Sequence, residues 1–271
     1  MSRPFPIPVF MYHHVEPLPL EPEPLHGDSY VPRKRFAEHL DRLREWGYAT
    51  LTLGDAVERW STGAELPRRP VVLTFDDGCR CFAEHAWPEL QSRGMTATLF
   101  AVAGQLGGTN AWDLETEDPA ERERREDLLD AEAFAALARE GVEVACHGHD
   151  HIDLRGASAH RLDHELTAAK ERLEEITGRR VTSFCYPYGH LDEAAAAAVR
   201  DAGYRAAVGI REGTHRDRLL ALPRFVIRPG DSDFELRLKA TGAYRWWRRL
   251  PRLGLLATLR RWTSRENRRE T

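Results

Sequence analysis

The stretch Pro70-Val71-Val72-Leu73-Thr74-Phe75-Asp76-Asp77-Gly78 decides how this chain folds. Its first six residues are apolar, β-branched or aromatic with almost no polar break, the pattern of a strand covered on both faces. Two adjacent carboxylates then leave the strand end and point in different directions. Burying both unpaired would be costly. They therefore mark a metal site or an active-site mouth, or else an Asp-Asp-Gly turn that caps the next helix. In parallel α/β architectures, functional sites lie at the carboxyl ends of the strands.

Working outward, the alternation of strand and helix repeats. Upstream, residues 7–12 predict a strand and 33–46 a helix with Phe36, Leu40 and Leu43 on one face. Residues 48–53 alternate after a turn at Gly47. Downstream, 81–93 predicts a helix closed by Gly94, followed by a buried strand over 96–102. Helices are then expected over 130–140, 158–177 and 193–202. Strands are expected over 142–146, 181–186, 204–210 and 222–227. Repeated strand–helix units imply an α/β fold with mostly parallel strands, as a sheet or a barrel. Residues 103–127 break the rhythm with Gly104, Gly107, Gly108, Pro119 and a dense charge run, and read as a long excursion or lid.

Composition narrows the classes. The 271 residues carry 43 acidic and 39 basic side chains, for a formal charge of -4, and 42% are hydrophobic. That excludes a disordered or collagen-like chain and argues against generic nucleic-acid binding. No run of apolar residues is long enough for a membrane-spanning helix. The proline-broken N-terminus has no signal-peptide pattern, so a cytoplasmic chain is expected. Residues 1–244 read as one catalytic domain and 245–271 as a separate tail. That tail carries nine arginines and two acids, a formal +7 that leaves -11 for the remainder. Its Trp and Leu content suggests peripheral contact with an anionic membrane, although Pro251 and Gly254 interrupt any continuous helix. Packing against the barrel, or binding a partner or an acidic polymer, are the other readings. Cys79, Cys81, Cys146 and Cys185 form no CxxC pair and read as buried packing thiols.

A second dense motif, Cys146-His147-Gly148-His149-Asp150-His151-Ile152-Asp153, follows another predicted strand. His147 and His151 are four apart, so one helical turn would present both imidazoles to one ion. With Asp77 they make a three-ligand set suited to a catalytic zinc. A third strand end carries Phe184-Cys185-Tyr186-Pro187-Tyr188-Gly189, a turn whose tyrosines can wall a groove.

Together and in this order, the three segments resemble the NodB-like polysaccharide deacetylases, carbohydrate esterase family 4. Met11-Tyr12-His13-His14-Val15 and Asn110-Ala111-Trp112-Asp113 resemble the branch acting on poly-N-acetylglucosamine and related exopolysaccharides. The resemblance implies a distorted (β/α) barrel and a hydrolase that removes N-acetyl groups from an amino-sugar polymer, oligomer or lipid-linked glycan. It implies Asp76 as catalytic base, Asp77, His147 and His151 as ligands of a divalent metal, taken as Zn2+, and His13 as general acid. It places the Pro187-Tyr188 loop at the oxyanion, through the backbone N–H of Tyr188, and Trp112 beside the substrate. His149 is expected to turn away from the metal. The chain departs from the family at Gly148, where Ser or Thr packs the metal loop, and at Cys185, where an Arg orients the base. Arg224 is a candidate to orient a carboxylate instead. Two readings compete: a deformylase or other amide hydrolase with the same metal site, and a non-catalytic carbohydrate-binding protein.

Overall fold

Parallel pairing runs through every strand of the main sheet. The computed structural model describes residues 5–17, 29–113, 125–209 and 218–244. The strands are β1 (Val9–Tyr12), β4 (Ala49–Leu51), β5 (Pro70–Phe75), β6 (Thr98–Ala101), β7 (Glu143–Cys146), β8 (Ser183–Cys185), β9 (Ala206–Gly209), β10 (Leu222–Pro223) and β11 (Phe225–Val226). Their order is β10-β9-β8-β7-β6-β5-β1-β11, with β4 beside the start of β5. The two ends of this path, β10 and β11, are consecutive in the chain and separated by one residue, Arg224. Leu222 pairs with Val208 on one side, and Phe225 pairs with Phe10 on the other. The sheet is thus nearly closed into a barrel, and Arg224 stands at the seam. The expected single strand over 222–227 is two short strands for this reason. A small parallel sheet, β2 (His14–Glu16) with β3 (Tyr30–Pro32), flanks the rim and was not legible as strands in the sequence.

The period-2 alternation of strands sorts the core. Phe10, Tyr12, Leu73, Phe75, Leu99, Phe184 and Tyr186 belong to one large cluster with the surrounding helices. These helices are α1 (Arg33–Glu45), α3 (Trp87–Gln91), α4 (Ala131–Arg139), α5 (Ala159–Asp163), α6 (Ala169–Thr177), α7 (Glu193–Asp201) and α8 (Asp233–Ala240). The alternate residues Val9, Val72, Phe100, Ala145, Cys185, Val208 and Leu222 form a second cluster. Its floor is α2 (Leu53–Thr62), which contributes Leu53, Ala56 and Val57. The alternating run over 48–53 therefore ends at this helix, whose N-cap Thr52 accepts from Asp55 N at 3.2 Å. The carboxylate of Glu143 caps it across the sheet, accepting bonds from Gly54 N at 3.1 Å, Thr98 Oγ1 at 2.7 Å and Ser183 Oγ at 2.6 Å. A carboxylate at a helix N-terminus is favoured by the exposed N–H groups and the helix dipole. Gly54 leaves that carboxylate room, since a Cβ would sit 2.7 Å from Glu143 Oε1.

Two expected helices are composite. Phe82–Ala86 is a π-turn leading into α3, and His164–Ala168 is a π-turn joining α5 to α6. The excursion over 103–127 holds two 3₁₀ turns, Ala103–Gln105 and Ala111–Asp113, and its residues 114–124 lie outside the described residues. The basic tail over 245–271 also lies outside them. No described helix is long and apolar enough to cross a membrane.

Candidate active site

The carboxyl ends of β5, β7 and β8 meet at one mouth. Three non-glycine residues have positive φ among the described residues: Asp77 (71°), His151 (58°) and Tyr188 (58°). One follows each of these strand ends. Such backbone is disfavoured for side chains with a Cβ, and it persists where surrounding structure over-determines it, most often at functional sites.

Asp77 Oδ1 lies 3.4 Å from His147 Nε2 and 3.6 Å from His151 Nε2, and all three side chains are buried. The histidines converge through a loop with left-handed residues at Gly148 (φ 87°) and His151, and not through the helical turn expected from their spacing. Their rings are 4.8 Å apart and nearly perpendicular. His147 Nδ1 is 2.8 Å from the carbonyl of Cys185, which can only accept, so Nδ1 carries a proton and Nε2 faces the carboxylate of Asp77. Burial opposes a charge on His147, but Cys185 and Asp77 outweigh it and raise its pKa, so without a metal Nε2 shares a proton with Asp77, and a divalent ion would take that proton's place. Ligand atoms bound to a tetrahedral ion at about 2.0–2.2 Å stand roughly 3.4 Å apart, close to the two distances given. Burial and the neighbouring charge of His147 push His151 down to about 3, leaving a neutral imidazole. Burial opposes ionisation of Asp77, but its hydrogen bond with His147 outweighs it and holds its carboxyl well below the ordinary range. One oxygen and two nitrogens form a donor set that fits zinc.

Asp76 points the other way. Its Oδ1 and Oδ2 receive Arg224 Nη1 at 2.6 Å and Nη2 at 2.8 Å in a bidentate pair, both side chains being buried. Arg224 also donates to Thr74 Oγ1 (3.2 Å) and Gly209 O (3.3 Å), and its Nη2 is 3.1 Å from Cys185 Sγ. The guanidinium therefore reaches Asp76 from the barrel seam, over a small residue at position 185. Burial opposes the charge on Asp76, but Arg224 and then His13 outweigh it and lower its pKa. His13 Nε2 is 3.8 Å from Asp76 Oδ2, an ion-pair distance beyond hydrogen-bond range. Its side chain is partly exposed at the mouth (27%).

The walls are aromatic. Trp112 lies 4.7 Å from the His151 ring and Tyr188 lies 4.8 Å from it on the turn Pro187–Gly189. Tyr188 is 44% exposed, and Pro187 is buried beneath it. His149 turns outward, with Nδ1 2.7 Å from Asp150 Oδ1 and its ring against His164. All four cysteines are free and buried. The structure thus gathers Asp76, Asp77, His147, His151, His13, Tyr188, Pro187 and Trp112 around one mouth.

A nearly closed parallel barrel with a buried Asp-His-His cluster at its strand ends defines a class of α/β-barrel proteins with a candidate metal centre. Comparison places the chain within that class. The polysaccharide deacetylase family profile matches residues 63–207, and the chain belongs to that family. YxkH of Bacillus subtilis, named for polysaccharide deacetylase activity, is 27% identical over 246 residues, covering 90% of this chain and 77% of that protein. The poly-beta-1,6-N-acetyl-D-glucosamine N-deacetylase of Staphylococcus aureus is 23% identical over 220 residues, covering 77% of this chain and 71% of that protein. Among solved structures, the Streptococcus pyogenes deacetylase PplD in complex with acetate superposes with a TM-score of 0.74 at 23% identity, covering 88% of this chain and 99% of that one. IcaB from Ammonifex degensii gives 0.69 at 24% identity, covering 87% and 97%. These likenesses establish the barrel as that of the family.

Proposed function

We propose that this chain is a metal-dependent hydrolase that removes N-acetyl groups from an amino-sugar polymer, oligomer or lipid-linked glycan. The observation that carries the reading is the convergence of Asp77, His147 and His151 beside an Arg-oriented Asp76. A binding module has no need of a paired base next to a ligand triad. Asp77, His147 and His151 would hold a divalent ion, zinc on this donor set. When bound, that ion supplies Lewis-acid polarisation of the amide carbonyl and lowers the pKa of water. Asp76 takes the proton from the attacking water as general base, with Arg224 fixing its two oxygens. The backbone N–H of Tyr188 faces the developing oxyanion. His13 delivers a proton to the leaving amine, without which a sugar amine departs poorly. Trp112 and Tyr188 offer flat apolar faces for a pyranose ring.

The test is product release from the full chain loaded with zinc, over N-acetylglucosamine oligomers of increasing length and lipid-linked N-acetylated sugars. Acetate in stoichiometry with new free amines is expected. Formate release from N-formyl sugars, with none from N-acetyl ones, would replace the reading by deformylation. Binding of the oligomers with no hydrolysis, in a zinc-free protein, would replace it by a carbohydrate-binding role.

A further inference from the structure

Glu165 is fully buried, yet it is a carboxylate outside the ligand set. It lies in the π-turn His164–Ala168, whose neighbouring residue His164 also reaches the metal loop through its ring contact with His149. Glu165 Oε2 accepts two consecutive backbone N–H groups of that loop, from His149 at 2.8 Å and Asp150 at 3.0 Å. Its Oε1 has no hydrogen bond, but Arg161 Nη2 lies 3.2 Å away within ion-pair range. The same Oε2 fills the space above Gly148, where a Cβ would fall 2.8 Å from it. A buried carboxylate held this sparsely costs stability relative to an apolar side chain. Both of its hydrogen bonds go to the segment between His147 and His151.

We infer that Glu165 is the positioning residue of the metal loop, holding its backbone from a neighbouring helix. The inference rests on the proposed metal-dependent function. Gly148 and Glu165 form a matched pair: glycine permits the left-handed turn at φ 87° and leaves room for the carboxylate oxygen. The oxygen in turn pins two N–H groups, so the loop leaves Gly148 in a single direction and returns His151 to face Asp77. Two consecutive N–H groups converging on one anionic oxygen form the same concavity that proteins use to hold anions. π-Turns recur at functional sites because the extra residue re-aims side chains, and here Glu165 and His164 both face one loop.

The experiment measures zinc affinity of the full-length protein by competition with a chromophoric chelator, together with amide exchange at residues 148–151. Glu165→Ala should weaken zinc binding by about 10–100-fold, the usual effect of losing a partner that orients a ligand, and speed exchange of the His149 and Asp150 amides. Glu165→Gln keeps an acceptor oxygen and should restore affinity to within a few-fold of the parent. Leu173→Ala, a core truncation on α6, controls for destabilisation and should leave affinity unchanged. Equal affinity in Glu165→Ala and the parent would overturn the inference, as would a loss that Leu173→Ala reproduces. Failure of the parent protein itself to bind zinc would overturn the proposed function along with it.

Discussion

Asp76 and Asp77 are neighbours in sequence with opposite assignments, and the difference is set by what faces each. Asp77 faces two imidazoles, whereas Asp76 faces a guanidinium. Asp76→Asn keeps the size but cannot take a proton, and its amide nitrogen replaces one of the two acceptors of Arg224. Zinc content should stay at the parent level while kcat for N-acetyl hydrolysis falls by about 10²–10⁴. Parallel loss of zinc would mean that Asp76 is a ligand and no base. His13 allows a sharper test because its task depends on the leaving group. His13→Ala should leave zinc content intact and lower turnover on an N-acetyl sugar much more than on an activated acetyl ester, whose leaving group needs no proton. Equal losses on both substrates would assign His13 a structural role.

At the scale of elements, the seam between β10 and β11 ties the site to closure, because the residue that joins the two sheet ends also holds Asp76. Arg224→Ala would leave Asp76 buried without its cation, a change that typically costs about 3–5 kcal/mol. Arg224→Lys keeps the charge, loses the fork, and is the variant in which to read catalysis. The pH sign follows from the lowered pKa of Asp76. The carboxylate contributes stability above its unfolded pKa, and that contribution is lost as pH falls through the folded one. Weakening the pair raises the folded pKa, so the acid limb of kcat/KM should move to higher pH in Arg224→Lys. An unmoved acid limb would show that another group titrates there.

The same elements show what a sequence can and cannot carry. The parallel strands were legible because strands covered on both faces are nearly uninterrupted apolar runs, as in Val71-Val72-Leu73. The Asp-Asp and His-x-x-x-His sets were legible because each lies within one loop. Helix α2 was not, although Thr52 caps it locally, because its first residue continues the alternating run over 48–53. Arg224 stood in the sequence as a candidate to orient a carboxylate, but that its partner is Asp76, 148 positions away, follows only from barrel closure. Glu165 reads as an ordinary helical position, and its burial depends on a π-turn that no local propensity announces.

For the whole molecule, the ligand triad bridges two distant segments of the barrel, the end of β5 and the loop after β7. An ion bound there joins these segments only when the barrel is formed, so it binds the native state far better than the unfolded chain. The folded state is then stabilised by RT ln(1 + [L]/Kd), about 2.7 kcal/mol when free zinc is 100 times Kd. In a chain of this size each kcal/mol moves the midpoint by about 2–4 °C. Stripping the ion with a chelator should therefore lower Tm by roughly 5–10 °C, and returning zinc should restore it in a concentration-dependent way. His151→Ala removes one of the three ligands and should abolish most of this zinc-dependent increment, whereas His149→Ala, whose ring faces His164, should keep it. If His149→Ala loses the increment and His151→Ala retains it, the ligand register within the loop is wrong. If neither variant changes it, the ion that stabilises the fold sits elsewhere.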